Sequence, residues 1–102
     1  MLKNDNGEAA AEFYDKRRLW AEYVSTHTLV TDRAFRVGYW LSRRMNGNDR
    51  CCWYSIKRIA KEMGRSPRTV SRALLELRNA GVMLVVEEPG KPSSYFLRAP
   101  FI

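Results

Sequence analysis

Residues 55–82 read SIKRIAKEMGRSPRTVSRALLELRNAGV, from Ser55 to Val82, and most of the fold follows from this stretch. Ser55 is a good N-cap for a helix Ile56–Met63, and Gly64 ends it. Ser66 caps a second helix with Pro67 at its first position, where the missing N–H costs nothing. This helix runs to Asn79 or Ala80 and stops at Gly81. Packing two short helices steeply across a three-residue turn needs a small residue where they cross, and Ala60 supplies it. The turn needs a residue that tolerates positive φ, which is Gly64 four positions on. The second helix needs a buried branched residue six further on, which is Val70. Ile56, Ile59 and Met63 then close a small core with Val70, Ala73, Leu74 and Leu77.

Upstream, apolar residues at Ala9, Phe13, Trp20 and Val24 predict an amphipathic helix over 8–24, behind a polar stretch 1–7 expected to fray. Thr31 and Asp32 open another helix, which places Ala34, Val37, Leu41 and Met45 on one face before Asn46-Gly47-Asn48-Asp49 stops it. Cys51-Cys52-Trp53-Tyr54 suits a brief strand. Downstream, Val82–Glu88, the tip Pro89–Ser94 and Tyr95–Arg98 read as a hairpin. The expected class is mainly α with a small β-hairpin (α+β): residues 1–7 flexible, 8–28 an N-terminal helix, 29–98 the domain, 99–102 a tail.

The 102 residues carry a net charge of +7, with 45% hydrophobic and 28% charged residues, enough for a single modest core. The longest apolar run, Val82–Val86, is far shorter than the roughly 20 residues of a membrane span. The start has no signal-like apolar stretch, and adjacent Cys51 and Cys52 frame no disulfide scaffold; the expectation is a cytoplasmic protein without membrane attachment. The charge is segregated. Residues 1–32 sum to −2, residues 33–50 to +4, residues 51–81 to +5, and 82–102 to zero. In the basic block Arg outnumbers Lys, whereas a merely solubilising surface mixes signs and favours Lys. Charge alone points to a polyanion without choosing DNA, RNA or an anionic membrane.

The stretch Ser55–Val82 resembles the winged helix-turn-helix core of bacterial regulators, and Gly90-Lys91-Pro92-Ser93-Ser94-Tyr95-Phe96-Leu97 resembles the wing and return strand of that group. Leu29–Leu97 is similar to the small domains of phage and plasmid replication and regulatory proteins, and more distantly to GntR-type and MarR-type regulators. Residues 1–28 lie outside the resemblance. It implies a double-stranded DNA partner, with the second helix entering the major groove. With Val70, Ala73, Leu74 and Leu77 inward, Arg68, Arg72, Leu75 and Asn79 point away. Arg68 and Arg72 have the reach to read guanine O6 and N7, and Thr69 a base edge or thymine methyl. They are also like-charged neighbours one turn apart, mutually repulsive without an anion. Ser55, Lys57, Lys61, Arg65, Ser66 and Ser71 are expected on phosphates, and Lys91 and Ser93 at the wing.

The expected role is a repressor working as a homodimer on an inverted repeat. The alternatives are a replication-initiation or accessory domain, and a winged-helix module whose basic face meets an acidic protein. Phe13, Trp20, Phe35, Trp40, Trp53 and Phe96 are expected in packing. The N-terminal helix either packs within the monomer or dimerises through Phe13, Tyr14, Trp20 and Tyr23. No catalytic machinery is expected. His27 has no partner at ligand spacing, Cys51-Cys52 lacks the intervening residues of a zinc knuckle, and neither a phosphate-binding glycine loop nor an acidic cluster for magnesium is present. No cofactor or metal is called for.

Overall fold

A computed structural model describes residues 2–102, with side chains from Gly7 on. Its elements run α1 (Leu2–Ser25), α2 (Asp32–Ser42), β1 (Cys52–Tyr54), α3 (Ile56–Met63), α4 (Pro67–Asn79), β2 (Met83–Val86) and β3 (Ser93–Leu97). The expected fraying stretch 1–7 lies partly outside the described residues, and α1 already begins at Leu2, ahead of the expected Glu8. This is the α+β architecture expected: four helices and a small antiparallel sheet, compatible with a winged helix-turn-helix carrying an N-terminal helix.

The caps fall where the sequence puts them. Thr31 Oγ1 accepts from the Ala34 N–H, Ser55 Oγ from that of Arg58, and Ser66 Oγ from that of Thr69. Such caps each stabilise a helix by about 1 kcal/mol. Helix α3 ends at Gly64 with φ +66°, which a side-chain-bearing residue adopts only with strain. The Arg65 N–H reaches back to the Ala60 carbonyl at 2.9 Å, and the Gly64 N–H to that of Lys61 at 3.3 Å. That pair of bonds closes the helix and aims the chain into α4. Helix α2 is shorter than expected. It ends at Ser42, and tighter bonds from Arg44 to Leu41 and from Met45 to Ser42 replace its last turn. Met45 is buried all the same.

The sheet has the order β1-β3-β2, so the brief strand adds to the hairpin along β3. Cys52, Trp53 and Tyr54 face Tyr95, Ser94 and Ser93, while Met83 to Val86 face Leu97 to Ser94. The hairpin strands are displaced from expectation, so the tip comprises residues 87–92 and Ser93 belongs to β3.

One core joins every layer: Trp20 and Val24 of α1, Val37 and Leu41 of α2, Ile59 and Ala60 of α3, Val70 and Leu77 of α4, and Met83, Tyr95 and Leu97 of the sheet. Trp20 is fully buried, and its indole N–H donates to the carbonyls of Val82 at 2.9 Å and Arg98 at 3.1 Å. Buried indole N–H groups need such partners, and here they tie α1 to the ends of the hairpin. Trp20 is therefore covered and hydrogen-bonded within the chain itself, which favours the packing alternative for α1. Phe13 and Tyr23 are likewise partly buried against the same core, and Tyr23 sits edge-on to Phe101. Of the four aromatic dimerisation candidates, Tyr14 alone is exposed.

Trp53 corrects the packing expectation in the other direction. It is 51% exposed on the outer face of the sheet. Alternation in β1 turns Cys52 into the core and Trp53 away from it. Phe35, Trp40 and Phe96 are half-buried against the core or at its margin.

Candidate nucleic-acid interface

Helix α4 buries Val70, Ala73, Leu74 and Leu77. That leaves Arg68, Ser71, Arg72 and Leu75 exposed along its outer side. The fate of the neighbouring carboxylates decides what these arginines can do. Residues 51–81 contain two acids, Glu62 and Glu76. Glu76 stands at i+4 from Arg72, the spacing of a helical ion pair, but its carboxylate accepts hydrogen bonds from the Thr31 N–H and, at 3.1 Å, the Thr31 hydroxyl. It ties the start of α2 to α4. Glu62 accepts from Arg58 Nε at 2.9 Å, and this contact raises the pKa of Arg58. The Arg58 guanidinium also lies over the Tyr54 ring, 5.1 Å from its centroid. Both acids of the segment are thus occupied. Among the described residues, Lys57, Lys61, Arg65, Arg68 and Arg72 have no carboxylate at ion-pair distance.

These charges fall into three groups. Ser55, Lys57 and Lys61 line one shallow depression on α3 together with Arg58 and Glu62. Ser55 accepts from the Arg58 N–H, and its own hydroxyl proton remains to donate. Arg68, Ser71 and Arg72 lie on the open side of α4. Arg65 and Thr69 line a second depression, between α2 and the start of α4. Thr69 is half-buried there, and its hydroxyl accepts from Ser66 at 3.0 Å, so it is less open to a partner than the two arginines. Ser66 is likewise engaged as the cap of α4.

The wing residues separate. Lys91 is exposed at the hairpin tip, 3.9 Å from Glu88. Ser93 is the first residue of β3, next to the tip, and is paired with Tyr54 of β1. Arg33 and Arg36 belong to the basic segment 33–50, whose net charge by itself gives them no direction. Both prove to line the α2–α4 depression beside Arg65. The signal that places them was available: the Thr31 cap sets the helical register, Ala34 and Val37 turn inward, and residues three apart share a flank.

The cysteines do not join this surface. Both are free and buried, and burial pushes the Cys52 thiol up to about 12, which makes it an inert core residue. Among the described residues no group of His, Cys, Asp and Glu is placed to hold a metal ion, and no helix is long and apolar enough to cross a membrane.

Two capped helices joined by a three-residue turn that opens on left-handed Gly64, with a bare cationic ridge on the second, have the arrangement of a helix-turn-helix. No curated protein matches the chain. Residues 30–83, which run from the approach to α2 through the first residue of β2, match a family described as helix-turn-helix domain. That match covers more than half of the chain and includes α2, α3, the turn at Gly64 and all of α4, so the chain belongs to this family of helix-turn-helix domains.

Proposed function

We propose that the chain is a sequence-specific double-stranded DNA-binding protein of the phage or plasmid regulator type, acting as a repressor by occupying its site. The carrying observation is the ridge of Arg68 and Arg72 on α4, whose only helically spaced carboxylate, Glu76, is held by Thr31. Two like charges one turn apart and without a counter-charge disfavour the isolated state and favour an anion between or beside them. Arginine is suited to this role because its planar fork matches guanine O6 and N7. Ser55, Lys57 and Lys61 on α3, with Arg65, Ser66 and Ser71 about the start of α4, would grip the sugar-phosphate backbone and fix the register in which Arg68 and Arg72 meet base edges. Lys91 would reach the neighbouring backbone from the wing. Two copies on an inverted repeat complete the reading, with exposed Tyr14 as the candidate contact of α1.

Selection of bound duplexes from a random pool tests this directly. The expected result is an enriched site, palindromic if two copies bind, because half-site spacing mirrors protein symmetry. On that site Arg68→Ala or Arg72→Ala should cost about 1–3 kcal/mol and relax one base position. Lys57→Ala or Lys61→Ala should weaken all sequences alike and flatten the salt dependence by about one unit. Absence of any duplex binding near about 50 mM salt would remove the DNA reading in favour of an acidic protein partner.

A further inference from the structure

The depression between α2 and α4 is open, about 440 Å³ in volume, and lined by Asp32, Arg33, Arg36, Val37, Met63, Arg65 and Thr69. Three arginines from two separate parts of the chain line it: Arg33 and Arg36 from α2, and Arg65 from the turn before α4. The sole acid on the lining is Asp32, in the first turn of α2. None of the three arginines forms an ion pair among the described residues. Val37 is buried and Met63 half-buried, giving an apolar floor beneath a cationic rim.

Such a grouping raises the local potential and is costly unless an anion occupies it. Guanidinium forks pair with phosphate oxygens through two parallel hydrogen bonds. An open depression without a buried donor lets a continuous strand pass along it and does not enclose a small ion. It also adjoins Thr69, one residue from Arg68 on the ridge assigned to base reading.

We propose that Arg33, Arg36 and Arg65 form a second phosphodiester-binding seat, by which α2 grips the DNA strand flanking the groove that α4 enters. This deepens the reading of α4 as the recognition helix and rests on it. Helix α2 is then more than a support for α4. It lengthens the DNA footprint, adds affinity without adding base preference, and restrains rotation of α4 about its own axis.

The test uses the full chain, a selected duplex, a mixed-sequence duplex of the same length, and the selected duplex trimmed at its ends. Arg33→Ala/Arg36→Ala should lower affinity about fivefold to tenfold per arginine near 0.1 M salt, equally on the selected and mixed duplexes. The logarithmic salt slope should fall by about one to two units, and trimming should cost the variant less than it costs the unaltered chain. Arg68→Ala measured alongside should instead collapse the preference for the selected site. If the double variant keeps wild-type affinity and slope while Arg68→Ala does not, the seat is wrong and the recognition helix stands. A double variant that loses preference together with affinity also overturns the seat, because it then bears on base reading. If the unaltered chain binds no duplex, both readings fall. Titration with inorganic phosphate covers the remaining source: saturable binding that needs Arg33 and Arg36, with duplex affinity untouched by their loss, would make this a free-anion site and overturn the proposal. Both arginines are exposed, and an unchanged thermal midpoint confirms that the variant is folded.

Discussion

Helices α1 and α4 each carry arginines on their outer sides, and the two sets are in opposite electrostatic states. On α1, Arg18 donates to Asp15 at 2.8 Å and Glu22 at 3.1 Å, a local pair-and-bridge that raises its pKa. Arg17 donates to the Met45 carbonyl at 3.0 Å and lies 4.8 Å from the centroid of the Tyr14 ring. Burial is the main reason that its own pKa is lowered. Every one of these contacts is internal. On α4, Arg68 and Arg72 have no carboxylate at ion-pair distance among the described residues. The difference shows that net charge is a poor guide to a binding face. What matters is which cations the fold has already satisfied. The basic block keeps unpaired cations because its acids, Glu62 and Glu76, are engaged elsewhere.

If α1 builds the fold and α4 carries the proposed recognition, the largest effect that can break this division is at Trp20. Trp20→Ala should destabilise the fold by about 3–5 kcal/mol, since it opens a cavity and removes the donor shared by the Val82 and Arg98 carbonyls. Urea unfolding measures this, and the loss should not depend on protein concentration. A loss that shrinks as the protein is concentrated would make Trp20 an intersubunit contact and return α1 to recognition between copies. The next effect is at Gly38, where α1, α2 and α4 meet. A Cβ there would lie 3.1 Å from the Trp20 ring and 3.2 Å from a Leu77 methyl. Both neighbours are buried, so Gly38→Ala should cost about 0–2 kcal/mol in urea, overpacking of about 1–3 kcal/mol being offset by the roughly 0.5–1 kcal/mol that Ala gains over Gly in a helix, while folded protein keeps its DNA preference. A changed preference without a change in stability would mean that α1 positions α4, and the division of labour would fail.

What could be read beforehand follows the range of each interaction along the chain. The α3–turn–α4 unit was legible because its requirements are local: Ser55 and Ser66 cap, Gly64 takes the left-handed turn, and Ala60 and Val70, ten residues apart, are both buried in the same core. The outward direction of Arg68 and Arg72 came from the same helical period. Interactions that span the chain were not legible. The bond between Thr31 and Glu76 joins residues 45 apart, and without it Arg72 looks as though it has a partner at i+4. The addition of β1 to β3 is of the same kind, and it moved Ser93 from the expected tip into the sheet. Trp53 was misread because a three-residue strand is too short to show which of its two faces is apolar. Trp20 stayed ambiguous for a different reason: an apolar stripe on a helix looks the same whether its own domain or a second copy covers it.

The smallest expected effect is also the sharpest comparison. Arg18→Ala and Arg68→Ala each remove one positive charge from a chain of net +7. If DNA affinity followed total charge, the two variants would weaken binding alike and lower the salt slope alike. If it follows cations left unsatisfied by the fold, only Arg68→Ala should do so. Arg18 already shares its charge between Asp15 and Glu22, so its loss also frees two carboxylates and leaves the field near α1 more negative. At physiological ionic strength a Debye length of about 8 Å confines that change to its neighbourhood. The expected outcome is an Arg18→Ala protein with a duplex affinity and salt slope indistinguishable from the unaltered chain. The same salt series on Arg68→Ala should show a fall in affinity and in preference for the selected site. Equal losses in the two variants would mean that binding is diffuse, and that α4 is not the reading helix.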